Sequence, residues 1–107
     1  MSKTLIVYAD STGKEPFTRW LNSLKDSRIR RCILARLRRI EQGNFGDCKH
    51  LREGVYELRL FFGPGYRIYF GKEENRLVVL LCGGDKSSQD KDLQKAIQYW
   101  RVYKGNA

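Results

Sequence analysis

Hydrophobic and polar positions alternate through the middle of the chain and recur at helical spacing on either side of it. From Val55 to Leu60, Tyr56, Leu58 and Leu60 share one face while Glu57 and Arg59 share the other, the period of a strand with one side toward a core. Gly63, Pro64 and Gly65 supply a tight turn, after which Tyr66, Ile68 and Phe70 alternate with Arg67 and Tyr69. The polar stretch from Gly71 to Asn75 reads as a further turn. Leu77 to Cys82 is apolar at every position, which fits a central strand buried on both faces, with helices on one side. Near the start, Thr4 to Tyr8 is apolar and β-branched enough for a first strand. Ser11, Thr12 and Gly13 break it, and Pro16 suits the first turn of a helix carrying Phe17, Trp20, Leu21 and Leu24. A longer helix is predicted from about Ser27 to Gln42, where Ile29, Ile33, Leu37 and Ile40 recur every three or four residues and Gly43 stands as the stop. Leu93, Ala96, Ile97 and Trp100 form the apolar stripe of a C-terminal helix. The predicted order is β-α-α-β-β-β-α: one α+β domain over residues 1–107, a small, mainly antiparallel sheet flanked by helices.

Charge changes this picture more than composition does. The 107 residues carry 21 Lys plus Arg against 12 Asp plus Glu, a formal net charge of +9, and dense positive charge draws polyanions by releasing their counterions. Nucleic acid is the first partner this suggests, with an acidic protein or an anionic lipid surface as alternatives. Three widely spaced cysteines, Cys32, Cys48 and Cys82, with one histidine, predict neither a disulfide framework nor a metal site. No cofactor motif is present. The apolar run before Asp10 is too short for a signal-peptide core and nothing approaches the length of a membrane span, so a cytoplasmic protein without membrane contact is expected.

Candidate chemistry centres on the meander. Paired through the Gly-Pro-Gly turn, Arg59 and Arg67 should project from the same, open sheet face, a phosphate clamp of two planar guanidiniums; the bland alternative is cross-strand pairing with Glu57. Lys49 and His50, in the CKHLREG segment, a short strand or a loop, should reach the edge of that face, His50 for proton transfer near neutral pH and Lys49 to offset charge on a pentacoordinate phosphate. Lys86 and Gln89 follow the buried strand in CGGDKSSQDKD, at the sheet end, where Ser88 and Asp92 also suit helix capping. Arg52, Tyr69 and Gln89 are candidate RNA contacts. So are Arg36 and Arg39 on the arginine-rich helix, although such a run is equally a solvated surface whose stems cover apolar area.

The segments GVYELRLFFGPGYRIYF and LLCGGDKSSQDKDLQKAIQYW resemble the addiction-module killer proteins, a HigB-like branch of the RelE/ParE toxin superfamily. The resemblance runs from the first strand to the last helix and is sharpest from Lys49 to Trp100. It implies a type II toxin with the compact RelE-like fold, neutralised by a cognate helix-turn-helix antitoxin. For RelE-like members it also implies ribosome-dependent, metal-independent mRNA cleavage, in which the RNA 2′-OH attacks the adjacent phosphate. By the same resemblance Arg67 matches an arginine that stabilises the phosphate, Arg59 a catalytic lysine position and Lys86 a basic residue after the last strand. Glu57 stands where a further lysine is usual, and Asp92 near the place of a tyrosine, so the general acid and base do not carry over. A ParE-like inhibitor of DNA gyrase shares the fold and is the main alternative; a basic protein that binds RNA without cutting it is the second.

Overall fold

The computed structural model describes residues 2–74 and 76–105. Its elements in chain order are β1 (Thr4–Val7), α1 (Pro16–Ser23), α2 (Ser27–Glu41), β2 (Cys48–Arg52), β3 (Val55–Arg59), β4 (Arg67–Glu73), β5 (Leu77–Gly84), a 3-10 turn (Lys86–Ser88) and α3 (Gln89–Tyr103). The strands form one five-stranded sheet in the order β1-β5-β4-β3-β2; β1 runs parallel to β5 and every other pair is antiparallel. The α+β class and the mainly antiparallel sheet agree with the sequence pattern.

Local chemistry explains most element ends. Pro16 sits in the first turn of α1, where its missing N–H costs no helical bond. Asp26 caps α2 by accepting from the Arg28 amide, and Gly43, at φ 89°, takes the left-handed conformation after its last turn. The hairpin between β2 and β3 turns on Glu53 and Gly54, both at positive φ, the two-residue geometry that matches strand twist. Gly63 and Gly65 supply the positive φ values of the β3–β4 connection, which the Leu60 amide closes by donating to the Tyr66 carbonyl at 3.0 Å.

Three expectations need correction. A fifth strand, β2, occupies the CKHLR segment, which shows no clean alternation because its register shifts between His50 and Arg52. The turn expected over Gly71 to Asn75 begins later: Gly71, Lys72 and Glu73 belong to β4, and Asn75 lies outside the described residues. A Cβ at Gly71 would fall 2.6 Å from Trp100 Cδ2 and closer to two other ring carbons, so the glycine is there to let α3 lie against the strand. The same holds for Gly83 and Gly84, which close β5 rather than starting a loop: Cβ atoms there would meet Trp20 and Asp92.

The third correction decides the site. Helices cover both faces of the sheet. On one face α1 and α2 bury Phe17, Ile33, Leu37 and Ile40 against Leu58, Leu60, Ile68, Phe70, Val78 and Leu80. On the other, α3 places Ala96, Ile97 and Trp100 over Val55, Tyr69, Val79 and Leu81. An irregularity between Tyr69 and Phe70 pairs Tyr69 with Cys82 but Phe70 with Leu80, which puts Leu81 and Cys82 together in this second core. The face that bears the arginines is therefore open only at its ends.

Candidate functional site

Arg59 and Arg67 are direct cross-strand partners at the end of the sheet nearest the Gly-Pro-Gly turn. Arg67 also pairs with Gly84 on its other side, and two residues on the Lys86 amide donates to the Pro64 carbonyl at 3.4 Å. The topology thus brings Arg59, Arg67 and Lys86 to one end of one sheet, as the alternation and the turn predict. Phe61 joins them, 77% exposed and with its ring centroid 5.4 Å from the Arg59 guanidinium carbon. Sequence reasoning passed over Phe61, although carrying the β3 alternation one step past Leu60 would have found it.

Both arginines have acidic partners inside the molecule. Arg59 Nε donates to Asp47 at 3.2 Å, and the two side chains are about equally half-exposed. Arg67 Nη1 donates to Glu57 Oε1 at 3.2 Å, with Arg67 12% exposed and Glu57 not exposed at all. Gln89, at the start of α3, gives Glu57 a second hydrogen bond, Nε2 to Oε2 at 3.4 Å. A fully buried carboxylate requires such partners, because its desolvation costs several kcal/mol, to order of magnitude. The Arg67 Nε and the Tyr69 hydroxyl beside them are buried and make no hydrogen bond among the described residues. Burial, followed by the nearby Glu57 and Asp92 charges, pushes the Tyr69 phenol well above its ordinary range.

The remaining candidates separate. Lys49 is exposed and faces Glu57 across the β2–β3 pair, so it lies on the arginine face at the sheet edge. His50 does not share that face: it pairs with Tyr56, and its ring lies 4.9 Å from the Tyr56 ring on the α1/α2 side, since neighbouring residues of a strand point oppositely. Tyr69, expected to touch RNA, is fully buried under α3. Gln89 is half-buried and turned onto Glu57. Arg52 is exposed at the end of β2. Arg36 and Arg39 belong to α2, on the far side of the sheet; Arg39 is exposed, whereas Arg36 Nη2 donates to the Phe45 carbonyl at 3.3 Å and pins the GNFG turn. Asp85 caps the 3-10 turn by accepting from Ser87, while the Ser88 hydroxyl donates to Asp92 Oδ2 at 2.6 Å instead of capping α3.

Among the described residues no cluster of three or more His, Cys, Asp or Glu side chains could hold a metal, and no helix is long and apolar enough to cross a membrane. Cys82 is buried, and desolvation with the neighbouring Asp92 charge pushes its thiol up to about 12.

A small, strongly basic α+β protein whose cations gather at one end of a helix-covered sheet is the class these features define. Residues 19–101 match the model of the family described as phage derived protein Gp49-like (DUF891), and the chain belongs to that family, which is of RelE-like toxin type. An uncharacterized protein of Haemophilus influenzae is 50% identical over 80 residues, 75% of this chain and 81% of the relative.

Proposed function

We propose that this protein is the toxin of a type II toxin–antitoxin pair, a HigB-like member of the RelE/ParE superfamily that cleaves mRNA on the ribosome. The observation that carries the reading is the pairing of Arg59 with Arg67 at the same sheet end as Lys86 and the exposed Phe61. Cations held on strands meet phosphates without first having to be ordered, and an exposed aromatic ring beside them offers a face for a base.

In the reaction the RNA 2′-oxygen forms a bond to the adjacent phosphorus as its proton departs. The bond to the 5′-oxygen breaks, that oxygen takes up a proton, and the products are a 2′,3′-cyclic phosphate and a 5′-hydroxyl. Negative charge grows on the non-bridging oxygens, where fixed guanidiniums stabilise it most. Arg59 is the accessible member: its bridge to Asp47 joins half-exposed groups, worth about 0–1 kcal/mol, and yields readily to phosphate. Arg67 lies deeper and shares its charge with Glu57. Lys86 and Lys49 extend the positive field on either side. The cognate antitoxin, a helix-turn-helix protein, brings acidic side chains to this end of the sheet and so competes with RNA.

Induced expression followed by primer extension on translated messages tests the proposal. The expected result is codon-linked breaks that Arg59→Ala and Arg67→Lys remove while the folded protein persists. Intact transcripts together with gyrase–DNA breaks would replace it with the ParE-like reading, and RNA retention without cleavage on programmed ribosomes with the non-catalytic one.

A further inference from the structure

The face opposite the arginines carries an arrangement that cleavage does not use. Where α2 ends, four rings stand in a row: His50 on Tyr56 at 4.9 Å, Tyr56 on Phe70 at 5.5 Å and Phe70 on Phe45 at 5.9 Å between centroids. The Tyr56–Phe70 and Phe70–Phe45 planes lie within 15° and 22° of parallel. From buried Phe70 one arm of the row passes through half-buried Tyr56 to the exposed His50, whose ring is tilted 53° to that of Tyr56, and the other ends on half-buried Phe45. The Lys72 ammonium is wedged into it, 4.2 Å from the Phe45 centroid and 4.3 Å from that of Tyr56.

Lys72 makes no ion pair with an acidic side chain among the described residues. Its charge is instead held in place by two ring faces, an interaction that fixes a cation without neutralising it. Arg36, at the GNFG turn, adds a second cation close by: it and Lys72 both act electrostatically on the half-buried Cys48 thiol, against the opposing Asp47 carboxylate, which is itself bridged to Arg59. The exposed imidazole and an ammonium held against Tyr56, the next ring inward, supply the two parts of a nucleotide site, a flat ring for a base and a cation for the phosphate joined to it.

We propose that the His50 end of this ladder is a stacking site for a base of single-stranded RNA, with Lys72 holding the adjoining phosphate. An acidic peptide could meet Lys72 but gains nothing from the outer face of His50, so RNA is the occupant that uses both. The site lies across the sheet from Arg59 and Arg67 and binds whether or not the chain cleaves, which keeps its failure distinct from that of the ribonuclease reading.

The test is fluorescence anisotropy of a labelled ten-nucleotide oligoadenylate on the full chain, titrated over a range of salt. His50→Ala should weaken binding about fivefold or more with no change in salt slope, since stacking carries no charge. His50→Trp should tighten it. Lys72→Gln should weaken binding and lower the slope of log affinity against log salt by about 0.7, the value for one phosphate contact on a single strand. Binding of inorganic polyphosphate, which has no bases, should respond to Lys72→Gln and ignore His50→Ala. Oligoadenylate affinity unchanged in both His50 variants overturns the stacking site, as does an equal effect of His50→Ala on polyphosphate. Loss of polyglutamate binding without loss of RNA binding in Lys72→Gln would assign the cation to a protein partner instead.

Discussion

Removing Glu57 and Arg67 together should destabilise the protein by clearly less than the sum of the two single removals. Glu57 has no exposed surface, and the Arg67 side chain retains 12%. Glu57→Ala therefore strands a guanidinium at a site closed by α3, where Nε already lacks a partner, and leaves Gln89 without its acceptor as well. Breaking one half of a buried pair costs about 3–5 kcal/mol, because the surviving charge is uncompensated and not merely because an attraction is lost. Arg67→Ala should cost a similar amount by leaving the carboxylate buried with only the Gln89 amide. The double variant keeps neither charge, so its cost should fall below the sum of the two by at least about 2 kcal/mol. Urea unfolding followed by tryptophan fluorescence measures all four corners of the cycle, since Trp100 packs in the same core. Single variants within about 1 kcal/mol of the parent, or a double variant whose cost is the plain sum, would refute the view that this pair is closed from solvent. The result also decides how activity data are read. An inactive Arg67→Ala protein would otherwise pass for the loss of a catalytic group when it had lost its fold, and Arg67→Lys, which keeps a cation opposite Glu57, is the cleaner probe of function.

Two further outcomes follow from the second core. Gly71→Ala should cost about 1–3 kcal/mol in urea unfolding, because the added methyl meets a nearly buried indole that cannot turn aside, and the cost should shrink in a Trp100→Leu background; an equal cost in both backgrounds would contradict the close approach of α3. Stability should fall as pH rises through the alkaline range. Cys82 and Tyr69 hold their protons more tightly in the folded than in the unfolded chain, so their contribution is complete below the ordinary thiol and phenol values and is lost as pH climbs toward the raised ones. A urea midpoint lower at pH 10.5 than at pH 8, with a smaller drop in Cys82→Ala, is expected, and an equal drop in both proteins would remove Cys82 from the account.

Much of the fold was legible because its signals are periodic. The stripe Ile33, Leu37 and Ile40 and the alternation of Leu58 and Leu60 against Glu57 and Arg59 each require one buried face, and those faces meet in the first core. The second core was harder to see. Its sheet positions include a tyrosine and a glycine, Tyr69 and Gly71, which read as surface and turn until Trp100 is placed over them. With that helix predicted but its place over this face unread, the arginine face looked open and Tyr69 looked available. The CKHLR segment stayed open between strand and loop because a register shift interrupts its pattern, and with it went the facing of His50, since a strand turns each successive side chain to the other side. The gathering of Arg59, Arg67 and Lys86 was readable from turn and alternation alone. Cross-strand register offered the pairing of Arg67 with Glu57 as the alternative, and the structure shows it, whereas that of Arg59 with Asp47 spans twelve residues and no local pattern encodes it.

The chemistry of the cut end tests the central claim most directly. Purified protein is added to programmed ribosomes in the presence of a chelator that spares ribosome-bound magnesium, and the new 3′ ends are analysed. The account predicts 2′,3′-cyclic phosphate ends in the parent protein and none with Arg59→Ala; full-length mRNA, or cut ends bearing a 3′-hydroxyl, would contradict it.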